Sequence, residues 1–330
     1  MILIITSIDD GHANAVIAYL NEAKVDFVRI NTDNLLDGKC SLTWVEVDGL
    51  AIVKYSNGYR EFKFSEVESV YFRRPTKPSL SNFQEIANAH VYQDESWSAL
   101  FSILFTFRNV RWLGHPFIDK MNSSKLKQKI VADRINESVS TILTPETIVS
   151  NNTEDLIAFV NRHDYVIVKP IESRGTVESN EWIPFFSERV SSEKFRTQLA
   201  DHPFAKLNYC FLQEYIEKKR EWRITVVGND VFGCIIESQQ NDHSKHDWRK
   251  IGYEEIPHRA AEPPMFVRDF CLKFLQDLNL YFGAFDFIET NTGLYYFLEC
   301  NVNGQWLWIE ECTGLKIAKS IANCLQHNES

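Results

Sequence analysis

Apolar and polar positions alternate in three blocks along the chain. Residues 2–6 form a short apolar run, residues 11–22 repeat apolar positions at helical spacing, and residues 25–30 are apolar again. This is a β-α-β opening of the α/β kind. It contains no G-x-G-x-x-G, so it carries no dinucleotide-binding fingerprint. Four short segments read as strands (41–47, 51–55, 62–64 and 69–72), and a long helix is expected over 82–107. This unit ends near His115-Pro116. A helix over 117–136 leads to a second unit, whose central strand is 165–169 before Pro170 and whose excursion over 181–189 reads as a hairpin. The third unit holds strands at 210–216, 221–228 and 231–237, then two apolar runs joined at Thr292-Gly293, then a last helix. The resulting division is an N-terminal α/β domain over 1–115, a central lobe over 116–209 and a C-terminal lobe over 210–330.

The two late runs carry the clearest chemistry. If Thr292 and Gly293 form a two-residue hairpin turn, Asp286 falls opposite Glu299, and the strand period of two brings Asn301 to the same face with Tyr295 and Phe297. Phe285, Phe287, Tyr296, Leu298 and Cys300 then point the other way, into a core. Carboxylates beside aromatic rings are costly unless paired or metal-bound. Two carboxylates and a carboxamide suit a hard cation that keeps positions for water and phosphate oxygens, the usual manner of holding Mg2+. Asp286, Glu299 and Asn301 are therefore the expected metal ligands of a nucleotide site.

Composition narrows the setting. At 330 residues, with 44% hydrophobic and 13% aromatic residues, the chain is expected to fold into two or three globular domains. A net charge of −10 argues against nucleic acid as a partner. No apolar run approaches a membrane span and the first strand lacks the flanks of a signal peptide, so no membrane partner and a cytoplasmic location are expected. The seven cysteines are scattered and contain no C-x-x-C, which suggests neither a disulfide framework nor a zinc site. His243 and His246 lie in a polar stretch, 239–250, that reads as a solvated loop rather than a metal pair.

From about residue 116 onward, a series of short motifs resembles the ATP-grasp superfamily. They are Lys125 in Asn122-Ser-Ser-Lys-Leu-Lys-Gln128, Lys169 in Val-Ile-Val-Lys-Pro, Gln213-Glu-Tyr-Ile216, Glu221-Trp-Arg223 and the terminal Asp286, Glu299 and Asn301. The resemblance implies an α/β, ATP-grasp fold behind an N-terminal α/β pre-ATP-grasp domain, with ATP and Mg2+ between two α+β lobes. It also implies that a carboxylate is activated as an acyl phosphate. Lys125 and Lys169 would meet the phosphates, Gln213, Glu214, Tyr215 and Ile216 the adenine edge, and Glu221 the ribose. Arg223 would face the reacting carboxylate and γ-phosphate, where charge develops. Two features depart from the family pattern. The loop after Lys169 has one glycine, Gly175, with Arg174 as a substitute cation, and Glu221 stands where an aspartate is frequent. Taken singly, Lys169 also reads as a strand-end surface lysine, and Arg223 as a partner of Glu221 or Glu237.

Three further segments resemble the graspetide synthetases of the microviridin and plesiocin type. These are Phe27-Val-Arg-Ile-Asn-Thr-Asp33, Val70-Tyr-Phe-Arg-Arg-Pro75 and Asn301-Val-Asn-Gly-Gln-Trp306. Such enzymes macrocyclise a ribosomally made precursor peptide by joining Asp or Glu side chains to Thr or Ser hydroxyls, or to Lys amines. The resemblance implies a leader-plus-core peptide partner. One of Arg73 and Arg74 is expected to face inward and bind an acidic side chain. The apolar excursion 176–189, with Trp182, Ile183, Pro184, Phe185 and Phe186, is a candidate leader grip or ordinary core. A homodimer is compatible with the large first unit and the last helix. The alternatives are an ATP-grasp ligase that adds an amino acid to a protein tail or small acceptor, and a non-catalytic ATP-binding regulator.

Overall fold

A computed structural model describes residues 1–36, 39–45, 50–55, 58–80, 85–107, 109–138, 142–171, 175–178, 181–184, 187–201, 209–240 and 253–326. The chain opens with a four-stranded parallel sheet, in the order Phe27–Asn31, Ile2–Thr6, Ser69–Phe72, Arg111–Leu113. The helix Gly11–Glu22 follows the first strand, its N-terminus capped by the Asp10 carboxylate, which accepts from the amides of His12 and Ala13. A three-stranded antiparallel sheet, Cys40–Val45, Leu50–Tyr55 and Gly58–Lys63, is inserted before the third parallel strand. Strand order reverses between Ile2–Thr6 and Ser69–Phe72, so the carboxyl ends of these two strands, at Thr6 and Arg73, flank the kind of crevice where open α/β sheets bind ligands.

The central sheet runs Glu188–Ser191, Tyr165–Lys169, Cys210–Glu214, Thr147–Ser150, all antiparallel. One face buries Val166, Val190 and Leu212 beneath the helices Thr153–Val160 and Ser192–Asp201. By the strand period, Ile167, Lys169 and Gln213 belong to the opposite face. Beside this sheet, Gly175–Glu178 pairs with Glu181–Pro184. The hairpin thus begins earlier than the expected 181–189, because Arg189 is already in the central sheet, paired with Ile167. Phe185 and Phe186 lie outside the described residues.

The largest sheet has six strands: His258–Ala260, Asp230–Ile236, Arg220–Val227, Phe282–Glu289, Tyr295–Asn301 and Ile142–Leu143. Its core face carries Phe285, Phe287 and Phe297 against Phe270 and Phe274 of the helix Met265–Leu278, with Phe274 and Phe297 centroids 5.2 Å apart. The helix Lys125–Ser138 and the strand Ile142–Leu143, which the sequence division groups with 116–209, pack on this same sheet. The final helix, Ile317–Gln326, shares a core with Gly11–Glu22, so the first and last parts of the chain are packed together.

Two expected helices are corrected. The one expected over 82–107 is observed as Ala89–Leu104, with 81–84 outside the described residues. The one expected over 117–136 is two helices, Pro116–Asn122 and Lys125–Ser138. The break follows from Ser123 and Ser124. Ser123 Oγ turns back to the Lys120 carbonyl at 2.8 Å, while Ser124 Oγ accepts from the Lys127 amide at 3.4 Å, as a helix-capping serine does. The break sets Lys125 at the start of the second helix. Among the described residues no helix is long and apolar enough to cross a membrane.

Candidate active site

The hairpin that carries the acids differs from its expected form in two ways that cancel. Instead of a two-residue turn, Thr290 to Leu294 form a wider loop, closed by the Thr290 amide on the Leu294 carbonyl at 2.9 Å and the Gly293 amide on the Thr290 carbonyl at 3.0 Å. This pairs Phe287 with Phe297, and a β-bulge after Asp286 then restores the opposition of Asp286 to Glu299. The bulge also swaps faces. Tyr295 and Phe297 turn into the core with Cys300, rather than sharing the polar face as expected, because Leu298 is the extra residue that shifts the alternation. The acids are therefore met by cations, not by rings.

Arg223 is the nearest of these cations. It pairs across the sheet with Asp286, and its NH1 lies 2.9 Å from both carboxylate oxygens. NH2 donates to the Gln305 carbonyl at 3.1 Å, while the buried Nε has no hydrogen-bond partner among the described residues. The alternatives of Glu221 and Glu237 as its partners are thereby replaced by Asp286. Gly304 lets the chain pass this close, since a Cβ there would stand 2.9 Å from Arg223 NH2 and 2.8 Å from Ala284 Cβ. Asn301 Nδ2 donates to Asp286 Oδ2 at 3.0 Å and reaches Glu299 Oε1 at 3.5 Å. On the far side, Lys125 Nζ lies 3.8 Å from Glu299 Oε2 and donates to the Pro170 carbonyl at 2.9 Å, joining the acids to the end of the strand that bears Lys169.

These residues fit a magnesium ion. Among the described residues no group of three or more His, Cys, Asp or Glu forms a metal cluster, so a cation here would rest on the carboxylates of Asp286 and Glu299 with Asn301. That incomplete oxygen set, flanked by ammonium and guanidinium groups able to meet phosphate, matches the way magnesium is shared between protein and nucleotide.

The remaining residues divide between two regions. Gln213 Nε2 donates to Thr147 Oγ1 at 3.0 Å, and the Glu214 carboxylate accepts from the Glu146 amide at 2.9 Å. Tyr215 and Ile216 leave the strand half-buried; the Arg189 guanidinium sits 4.4 Å from the Tyr215 ring centroid and 3.5 Å from that of Tyr165, and burial pushes the Tyr215 hydroxyl pKa up. Glu221 Oε1 accepts from Lys218 Nζ at 2.5 Å and Ser238 Oγ at 2.7 Å. In the first unit, Arg73 faces inward at 2% exposure, and Arg74 is exposed, with φ +43°. Arg73 NH1 reaches Asn303 Oδ1 at 3.1 Å, two residues before the Gln305 carbonyl that holds Arg223. Arg174, His243 and His246 lie outside the described residues.

Several neighbours escaped the sequence reading. Asn303 was visible only as part of the Asn301-Val-Asn motif. Asp119 carries no motif, yet its carboxylate reaches Asn303 Nδ2 at 3.5 Å, and burial pushes its pKa up to about 7. His12 stacks edge-on to Trp306 at 4.9 Å, and burial, then Arg73, lowers its pKa to about 3, keeping it neutral.

This geometry, a central sheet whose strand ends at Lys169 and a larger sheet whose Asp-Glu-Asn set lies between Arg223 and Lys125, is that of an ATP-grasp protein. The RimK-like ATP-grasp domain matches residues 118–325, and the chain belongs to that family. Among solved structures, it is similar over 98% of its length to 96% of a Chryseobacterium gregarium RiPP-associated ATP-grasp ligase in complex with ADP and a leader and core peptide, at 28% identity and TM-score 0.88. The macrocyclase MdnC of Microcystis aeruginosa MRC, bound with precursor peptide MdnA, matches over 99% of both chains at 21% identity and TM-score 0.83. The ATP-grasp ligase PsnB, complexed with minimal precursor, Mg and ADP, matches over 98% of this chain and 96% of that one at 15% identity and TM-score 0.70. Comparison with curated protein sequences gives no match.

Proposed function

We propose that the protein is a cytoplasmic, ATP-dependent macrocyclase of a ribosomally made precursor peptide. One observation carries this reading. Arg73 is a buried guanidinium whose side-chain hydrogen bonds, among the described residues, go to Asn303 and to no carboxylate, and it hangs from the same short loop that holds Arg223. A buried charge without a counterion is costly. Arg73 is therefore suited to receive an anion from outside, such as the acidic side chain of a peptide, with Arg74 at the rim. Asn303 and Gln305 are two residues apart, so their Cα atoms are at most about 7 Å apart. An acid held by Arg73 is thus close to the phosphoryl-transfer site at Arg223. Similarity to three ligases solved with peptides supports the same reading.

In this mechanism Lys125, Lys169 and the loop bearing Arg174 hold the phosphates, Gln213 to Ile216 the adenine, and Glu221 the ribose. Asp286, Glu299 and Asn301 would hold magnesium, which supplies charge neutralisation on the phosphate oxygens. An oxygen of the peptide carboxylate attacks the γ-phosphorus, the bond to the β-phosphate bridge breaks, and ADP leaves. Arg223 stabilises the charge spread over the transferring group. A Thr or Ser hydroxyl, or a Lys amine, of the same peptide then attacks the acyl carbon, and phosphate departs with the nucleophile's proton. Tethering both ends in one peptide provides the proximity that lets a hydroxyl compete with water. Incubation with magnesium-ATP and a Thr- and Glu-rich precursor peptide tests this by mass; the reading requires loss of water without addition of an amino acid.

A further inference from the structure

Asn303 has its side-chain amide and its backbone carbonyl engaged at the junction between the first unit and the acid-bearing hairpin. Its Nδ2 donates to the Phe72 carbonyl at 3.0 Å and reaches Asp119 Oδ2 at 3.5 Å, while its Oδ1 and backbone carbonyl accept from Arg73 NH1 at 3.1 and 3.4 Å. Phe72 ends the strand that Arg73 leaves, so one side chain grips the strand end and the guanidinium of the next residue. Space for it depends on Gly114, at φ +82°, where a Cβ would stand 3.0 Å from Asn303 Nδ2 and 2.2 Å from the Phe72 carbonyl.

We propose that Asn303 is the positioning residue for Arg73, aiming its guanidinium at the acidic side chain of the peptide substrate. This rests on the reading of Arg73 as the acid-binding group. Arginine has many rotamers and, among the described residues, Arg73 has no carboxylate to lock it, so its direction comes from neutral acceptors. Asn303 provides two of them, and its own orientation is set by the donation to Phe72. Asp119 secures the amide from behind. Because the next turn of chain also gives Arg223 its carbonyl partner, the loop Val302 to Gln305 holds the acid-binding and phosphoryl-transfer arginines in one register.

The test has a peptide-free arm and a kinetic arm, both on the full chain. In the first, proton exchange at the Arg73 NH1 group, which donates to Asn303, is followed by NMR, its signal assigned by loss in Arg73→Ala. Asn303→Ala is expected to speed that exchange about 10-fold or more, as loss of a hydrogen bond to a charged group implies, and to leave the Arg223 signal unchanged. In the second, phosphate release is driven by a Thr- and Glu-rich precursor peptide that carries a leader segment. Asn303→Ala should raise the peptide KM about 10-fold or more with the ATP KM within about 2-fold, and add less than about 2-fold to Arg73→Ala. Asn303→Asp gives Arg73 a carboxylate that competes with the peptide's acid and leaves Phe72 without its donor, so it should raise the peptide KM at least as far as the alanine. An unchanged Arg73 signal in Asn303→Ala, multiplying effects of the two alanines, or an aspartate with the parent's peptide KM overturns the assignment. Arg73→Ala without effect on the peptide KM instead overturns the acid-binding reading, and the NMR arm still judges Asn303.

Discussion

Arg223 and Asp286 face each other across adjacent antiparallel strands, with NH1 2.9 Å from both carboxylate oxygens. The guanidinium side chain is 9% exposed and the carboxylate 28%, so the pair is asymmetric: the cation is the buried partner. Asp286 thus has two duties, as counterion of Arg223 and as candidate magnesium ligand.

That asymmetry separates the two substitutions. Asp286→Asn strands a buried guanidinium and is expected to cost about 3 kcal/mol of stability as well as turnover. Arg223→Ala should keep nucleotide binding and lower kcat by about 100-fold or more, because it removes stabilisation of charge that appears in the transition state. Lys169→Ala should do the reverse and chiefly weaken ATP binding. Isothermal titration beside steady-state kinetics checks the division; equal losses of nucleotide affinity in Arg223→Ala and Lys169→Ala would contradict it.

Glu299→Gln and Asn301→Ala are expected to abolish ATP turnover at limiting magnesium and to leave the melting temperature close to the parent value. Both side chains are half-buried on the polar face, away from the rings that anchor the hairpin. Wild-type turnover in either, at limiting magnesium, would remove these residues from the metal assignment.

Gly304→Ala tests the close approach of the loop to Arg223. The added Cβ would lie 2.8 Å from Ala284 Cβ and 2.9 Å from both Arg223 NH2 and Asn301 Cβ, so the loop must move. Overpacking of this sort costs about 1–3 kcal/mol. A lowered kcat with a modest loss of melting temperature is expected, and parent-like kinetics would show that the loop does not set the arginine.

Asp119 gives stability a definite pH dependence. Burial raises its carboxyl pKa from 3.8 to about 7, against the lowering effect of hydrogen bonds from the His115 backbone and Asn303. The folded state then binds this proton more tightly than the unfolded state, so the Asp119 contribution declines as pH rises between the two values and is level outside them. Asp119→Asn should melt at a higher temperature than the parent near about pH 8, and the advantage should vanish near about pH 4. Parallel pH profiles for the two proteins would refute the raised pKa.

Much of the architecture was legible because it is written in local periodicity. The strand Ile2–Thr6, the helix Gly11–Glu22 and the strand Ser69–Phe72 have the expected bounds, and the ATP-grasp fold follows from motifs that are contiguous in the chain. Asp286 and Glu299 were paired correctly, although the loop and the bulge each departed from expectation. A bulge leaves no mark on composition, so the inward turn of Tyr295 and Phe297 could not be read from alternation. The serine break before Lys125 was missed because two short helices and one long one share the same apolar spacing. Asp119 and His12 carry no mark in the sequence, and Asn303 shows only within its motif, for a different reason: each acts through residues far away in sequence, and only packing of the first unit against the C-terminal lobe brings them together.

Mass spectrometry of a Thr- and Glu-rich precursor peptide after incubation with enzyme and magnesium-ATP tests the central claim most directly. The macrocyclase reading predicts loss of one water per ring, one ATP consumed for each, and no mass gained from free amino acids; mild alkali should restore the water where a hydroxyl was the nucleophile, and fail to do so where an amine was. A mass increase matching an added amino acid, or ATP hydrolysis with an unmodified peptide, would contradict it.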